Sequence, residues 1–292
     1  MVSDDFRALS ATLGEDPLQI QGPGGNASFK DMSAGRGGTM WIKASGTELA
    51  QARARDIFVA VDVERARAEI SGAGDGTCRA ALLDTSGLRP SIETTFHALL
   101  HAPFVFHTHS VATLAHVTSE RGERAALEKL ADLAPVLVPY RKPGLPLTRA
   151  IAERIAPDTR VILLANHGLI VCGESVSEVG DTIADVEDRL AMEPGAPSEA
   201  RARAGSYYPD HVVFLGPALP ATRVEGRPAW WDDGPKLAPD ATPVQRTMLR
   251  CLADVLARVP ADWTLRPIGE DAERDLMNWD AETYRQKLSG TP

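Results

Sequence analysis

Phe104-Val105-Phe106-His107-Thr108-His109 reads as a short apolar strand that ends in two histidines two residues apart. Side chains alternate across a strand, so residues two apart leave from the same face. His107 and His109 therefore project together, a spacing that suits chelation of a single metal ion. Two ordinary polar residues at a strand end would give the same pattern, so the surrounding residues have to decide.

Upstream lies Pro90-Ser91-Ile92-Glu93-Thr94-Thr95-Phe96-His97-Ala98-Leu99-Leu100. Ile92, Phe96, Leu99 and Leu100 recur on one helical face, with Ser91 as the expected N-cap and Pro103 as the stop. A helix from Glu93 to Ala102 rises roughly 14 Å at ~1.5 Å per residue. Pro103 to His107 retraces roughly 13 Å at ~3.3 Å per residue. If the strand doubles back along the helix, the Glu93 carboxylate arrives beside His107. A third imidazole comes from Asn166-His167-Gly168, read as a hairpin tip between two apolar runs with Gly where positive φ is needed. Alone it would pass for a turn residue. Three His and a Glu together suit Zn²⁺ or a similar divalent ion.

Gly22-Pro23-Gly24-Gly25-Asn26-Ala27 satisfies the formal G-x-G-x-x-A dinucleotide pattern. That fingerprint requires a helix directly after the loop, whereas Ser28-Phe29-Lys30-Asp31-Met32 alternates like a strand. The pattern is therefore read as an anion loop, with backbone N–H groups and the Asn26 amide facing a phosphate or carboxylate. An ordinary tight turn is the competing reading. Lys43 could add charge there or be a solvated strand lysine. His97 and His101 are expected to be a hydrogen-bonded core histidine and a helix-end histidine. Trp230-Trp231 is read as either an interaction spot or packing.

These segments, with Lys43-Ala44-Ser45-Gly46-Thr47, resemble the class II aldolase/adducin family in motif content and order over about Leu9 to Leu190. Tyr208-Pro209-Asp210-His211-Val212-Val213 and Asn278-Trp279-Asp280-Ala281-Glu282-Thr283-Tyr284-Arg285 look like its rhamnose-utilisation branch. The resemblance places the family's metal ligands on His107, His109 and His167 and its acid/base carboxylate on Glu93. Its anion-binding loops fall on Gly25, Asn26, Ser45, Gly46 and Ser91. It implies a class II, metal-dependent aldolase acting on a short ketose phosphate or related hydroxylated keto compound. A sugar-phosphate 4-epimerase or a non-catalytic adducin-like protein are the alternatives, and a homotetramer is the implied assembly. Two departures stand out. Ile92 occupies the place of a second Ser, and no tyrosine between Arg121 and Leu133 matches the family's proton donor. A cupin would need a Glu soon after His109, which Ser110-Val111-Ala112-Thr113-Leu114 does not supply. An amidohydrolase would carry His-x-His on its first strand.

The rest of the chain is consistent with this reading. Its 292 residues, 43% of them hydrophobic, can bury a substantial core. A net charge of −9 disfavours nucleic acid and anionic membrane as partners. Cys78, Cys172 and Cys251 lack paired spacing, so no disulfide framework or zinc ribbon is expected. Without a signal-like or spanning apolar segment, a cytoplasmic protein is expected. Helices are predicted near 2–13 and at 62–70, 91–101, 110–117, 122–133, 148–155 and 175–191, the last with a Ser175/Glu178 capping box. Strands are predicted at Leu18–Gln21, Met40–Ala44, Ile57–Val61, Phe104–Thr108, Val136–Pro139 and on both sides of Asn166–Gly168. Mixed rather than alternating elements predict a three-layer α/β/α sandwich with a largely antiparallel central sheet. Glu193-Pro194-Gly195-Ala196-Pro197-Ser198 divides residues 1–192, the family-like domain, from 193–292. That C-terminal part is expected as an appendage with a strand at Val212–Leu215 and helices near 242–258 and 280–288.

Overall fold

The computed structural model describes residues 2–33, 37–72, 76–83, 85–288 and Gly290. Among them, seven strands form one sheet in the order β3-β2-β1-β4-β7-β6-β5. The strands are β1 (Asn26–Asp31), β2 (Thr39–Lys43), β3 (Phe58–Asp62), β4 (Phe104–Thr108), β5 (Val136–Val138), β6 (Val161–Leu164) and β7 (Gly168–Gly173). Every pairing is antiparallel except β5 with β6. Helices α1 (Asp4–Glu15), α2 (Val63–Ser71), α3 (Thr94–Leu99), α4 (Val111–Val117), α5 (Glu120–Lys129), α6 (Leu145–Ala152) and α7 (Val176–Leu190) flank it. The mixed α/β sandwich with a largely antiparallel sheet is the predicted fold class.

Strand alternation divides the core between the two faces. Ala27, Phe106, Leu163, Leu169 and Val171 pack with α1 and α7. Val105, Ile162, Leu164 and Ile170 pack with α3 and α6, and Met40, Ile42, Val59 and Val61 with α2. Val176, Val179, Ile183, Val186 and Leu190 form the buried stripe of α7. Each such side chain gains roughly 1.5–3 kcal/mol over exposure, so the stripe, more than intrinsic propensity, holds this helix in place. Ser175 caps it by accepting from the Glu178 N–H, but the Glu178 carboxylate takes the N–H of Glu174, so the capping box is not reciprocal.

After α7 the chain builds a further cluster from α8 (Glu199–Arg203), a π-helical turn at His211–Leu215, a hairpin of β8 (Ala229–Trp231) and β9 (Pro235–Leu237), α9 (Pro243–Arg258), α10 (Glu270–Met277) and α11 (Asp280–Leu288). Its apolar side chains enclose Val111, Leu114 and Ala115 of α4. Trp231 is buried there, while the Arg223 guanidinium lies over the Trp230 ring.

Three local expectations are corrected. Leu18–Gln21 is a turn, with the Gln19 and Ile20 N–H groups bonded to the Asp16 carbonyl. Val212–Leu215 is helical, because an apolar run that is buried all round carries no period to separate strand from helix. The helix predicted over 91–101 covers only Thr94–Leu99, because the Ser91 carbonyl and hydroxyl form a turn with Thr94 and Glu93. Gly168, at φ +155°, sits so close to the Thr108 carbonyl that any side chain would collide with it, and Asn166 takes the left-handed turn position. Among the described residues no helix is long and apolar enough to cross a membrane.

Candidate metal centre and active site

Two junctions of the sheet and the α3 turn bring the predicted residues together. His107 is on β4 and pairs in register with Asn26 of β1 on one side and Ile170 of β7 on the other. His109 follows at the strand end, and His167 comes from the tight β6–β7 connection. Glu93 stands at the N-terminus of α3, whose return into β4 returns the carboxylate to the imidazoles. Glu93 Oε2 lies 3.5 Å from His107 Nε2, and Oε1 lies 3.5 Å from His167 Nε2. The three histidines are buried, with one nitrogen of each within 4.8 Å of the others, a grouping that could hold a metal ion.

The hydrogen-bond pattern tests that fit. His107 Nδ1 donates to the Leu169 carbonyl at 2.9 Å. A carbonyl only accepts, so in the neutral ring Nε2 carries the lone pair. His109 Nδ1 lies 2.8 Å from Asp210 Oδ2, and a carboxylate likewise accepts, leaving the His109 Nε2 lone pair turned inward. These two Nε2 atoms stand 3.1 Å apart. Two facing lone pairs are unfavourable unless a proton or a cation lies between them. Glu93 Oε1 and His167 Nδ1 are buried without a hydrogen-bond partner. The donor set, three imidazoles and a carboxylate, fits a divalent ion.

Electrostatics reinforce this. Burial pushes the Glu93 carboxyl up to about 7, against the pull of His109 and the Asn26 hydrogen bond. Burial pushes His167 down to about 3 and holds His107 well below its ordinary value. Neutral imidazoles are the form that binds metal, and a cation at their centre would favour the ionised Glu93.

The expected anion-binding residues Gly25, Asn26, Ser45, Gly46 and Ser91 line one narrow cleft together with Glu93, His109 and His167. Their commitments differ. Asn26 Nδ2 donates to Glu93 Oε2 at 2.8 Å and to Ser91 Oγ at 3.2 Å. Its Oδ1 faces His97 Nε2, and His97 Nδ1 is 2.8 Å from Ser28 Oγ. The amide expected to face a ligand anion is directed at Glu93 instead, because a buried carboxyl needs donors. Ser45 Oγ is buried without a partner. Leu288 of α11 rests on Gly46.

Other residues belong to the site although the sequence left Lys43 open and assigned Asp210 and Arg285 no role. Lys43, pushed down to about 7 by burial, donates to the Pro23 carbonyl at 2.7 Å and the Thr47 carbonyl at 2.9 Å, tying the two loops together. Asp210 and Arg285 also line the cleft. Both were inside phrases noted in the sequence, but Asp210 pairs with His109, 101 residues before it, and Arg285 with Asp210, 75 residues before it. No spacing rule reaches that far. His116 and His211 are buried elsewhere, His116 edge-on to Trp263. His101 is exposed.

Comparison with known proteins gives this geometry a context. "Uncharacterized oxidoreductase YuxG" of Bacillus subtilis is 32% identical over 177 residues, 57% of this chain and 26% of that protein. "3-oxo-tetronate 4-phosphate decarboxylase" of Escherichia coli (strain K12) is 31% identical over 121 residues, 37% of this chain and 56% of that protein. The chain thus spans about a quarter to just over half the length of these curated relatives. The N-terminal class II aldolase domain of a conserved protein from Thermoplasma acidophilum superposes with a TM-score of 0.56 at 25% identity, over 65% of this chain and 93% of that one. Residues 9–193 match the family described as "Class II Aldolase and Adducin N-terminal domain", so the chain belongs to the class II aldolase and adducin family.

Proposed function

We propose that this protein is a metal-dependent lyase that breaks a carbon–carbon bond beside a carbonyl in a short sugar-derived substrate, with retro-aldol cleavage as its reaction. One observation carries the reading: the inward lone pairs of His107 and His109, 3.1 Å apart, beside the unpartnered Glu93 Oε1. A divalent ion held by His107, His109 and His167, Zn²⁺ in this reading, supplies a Lewis acid for the negative charge that cleavage leaves on substrate oxygen. Glu93 is the proton carrier. Ionised beside a bound cation, it would take the proton from the hydroxyl that becomes the aldehyde carbonyl and return that proton to carbon once the bond has broken. Asn26 holds that carboxyl in place. Ser45, Gly46, Ser91 and the Gly25 loop offer donors to the anionic end of the substrate, with Lys43 keeping the loops in register. Residues 1–192 form the catalytic unit and 193–292 its appendage, in a cytoplasmic homotetramer.

Decarboxylation is the second reading, supported by the similarity to a 3-oxo-tetronate 4-phosphate decarboxylase and by the makeup of the cleft. Losing CO₂ likewise leaves negative charge on the oxygen of the remaining carbonyl fragment, but it requires no proton to be taken from a hydroxyl that becomes an aldehyde. No tyrosine is among the cleft's described lining residues. The test is a panel of ketose phosphates and 3-oxo acid phosphates incubated with metal-loaded protein, with aldehyde, CO₂ and C4-epimer all quantified. Aldehyde release that falls about 10²-fold or more in Glu93→Gln is expected. Stoichiometric CO₂ without aldehyde would transfer the assignment to decarboxylation, and epimer alone to the 4-epimerase. No turnover of any substrate would favour an adducin-like binding role.

A further inference from the structure

Asp210 is 1% exposed and has two buried partners. Oδ2 accepts from His109 Nδ1 at 2.8 Å, and Oδ1 accepts from Arg285 Nη2 at 3.0 Å. Arg285 Nη1 in turn donates to Glu282 Oε1 at 3.0 Å and Oε2 at 2.8 Å. The contact is built into the backbone as well. A Cβ at Gly24 would stand 2.8 Å from Asp210 Oδ2 and 3.0 Å from His109 Nδ1, so only glycine leaves room for the pair. Asp210, Glu282 and Arg285 all lie outside residues 9–193, the part that matches the family.

The geometry points to the C-terminal segment as a working part of the metal centre. Asp210 is a positioning residue that fixes the His109 tautomer and strengthens its Nε2 as a donor, with Arg285 and Glu282 holding Asp210 in place. This rests on the metal reading proposed above. The physical ground is the difference between the two partners of the His-x-His pair. His107 leans on a neutral carbonyl, whereas His109 leans on a carboxylate, which pulls on the Nδ1 proton, leaves more electron density on Nε2 and fixes the ring's orientation. Losing such a partner typically weakens metal affinity by about 10–100-fold.

The test uses full-length protein and Zn²⁺ titrated against a chromophoric chelator. Asp210→Asn and Arg285→Met are each expected to weaken Zn²⁺ binding by about 10–100-fold. Leu252→Ala, which opens a cavity in the apolar cluster around α9 and removes none of the polar contacts named above, controls for general destabilisation and is expected to bind Zn²⁺ as the wild type does. Wild-type affinity in Asp210→Asn, or an equal loss in Leu252→Ala, would overturn the proposal. His107→Ala separates the two layers of inference. If it loses Zn²⁺ while Asp210→Asn does not, the metal reading stands and only the role of Asp210 fails. A wild type that binds no Zn²⁺ overturns both. Should the Asp210 and Arg285 variants fail to fold, ¹⁵N NMR of metal-free wild-type protein decides. The proton is expected on His109 Nδ1, and finding it on Nε2 would overturn the proposal.

Discussion

Asn26→Ala separates the anion-binding role expected from sequence from the Glu93 contact found in the structure. In the structure the Asn26 amide donates to Glu93 and Ser91, and its oxygen faces His97. Truncation removes a hydrogen bond to a carboxylate, which costs about 1.5–3 kcal/mol. At about 1.4 kcal/mol per factor of ten, that is roughly a 10- to 150-fold loss of rate if the bond holds Glu93 in its working position. It also strips His97 of a buried partner, and a melting temperature several degrees lower is expected, at roughly 2–4 °C per kcal/mol for a chain this long. The backbone pairing of Asn26 with His107 is unaffected, so the strand itself should persist. The assay is kcat/KM for a ketose 1-phosphate and the matching free ketose, in Asn26→Ala, Glu93→Gln and the double variant. An amide acting through Glu93 lowers both substrates alike, and its effect vanishes in the Glu93→Gln background. A loss confined to the phosphorylated substrate, and undiminished when Glu93 is already Gln, would refute this reasoning and return Asn26 to the anion site.

Elemental analysis should find one divalent ion per chain, lost in His109→Ala. Chelation should lower the melting temperature, since a ligand at 100 times its Kd stabilises by about 2.7 kcal/mol. An unchanged metal content in the variant would dismiss the histidine set. In metal-free protein, Glu93 has a folded pKa near 7, above its unfolded value, so the folded state holds its proton more tightly. Wild-type stability therefore falls as pH rises from about 4.5 to 7, and Glu93→Gln, which cannot ionise, should gain on the wild type across that window. A difference between the two that does not vary with pH would contradict the burial argument. Light scattering should give a mass near four times 31.3 kDa, and a lone 31.3 kDa species at working concentrations would contradict the homotetramer.

Sequence alone determined what depends on short-range pattern. The short apolar run Phe104–Phe106 gave β4, and the 3.6-residue stripe with Ser175 gave α7. The strand after the glycine loop, β1, was legible from Ser28–Met32 because apolar and polar residues alternate there. The estimated lengths of helix and strand allowed Glu93 to meet His107 only if the strand doubled back, and that reversal, around a helix limited to Thr94–Leu99, belongs to the fold. Sequence could not place side chains joined only by the path of the chain. The destination of the Asn26 amide depended on which buried group lacked a donor, and that group, Glu93, is 67 residues away. Lys43 could be solvated or buried until the loops carrying Pro23 and Thr47 closed over it. The uniformly apolar Val212–Leu215 carried no period and became helical through packing against α9. The pairing of Asp210 with His109 was decided last, by tertiary structure alone. It requires the appendage to dock on α4, a helix end to deliver Arg285, and a glycine to leave space, three conditions that no local stretch of sequence encodes.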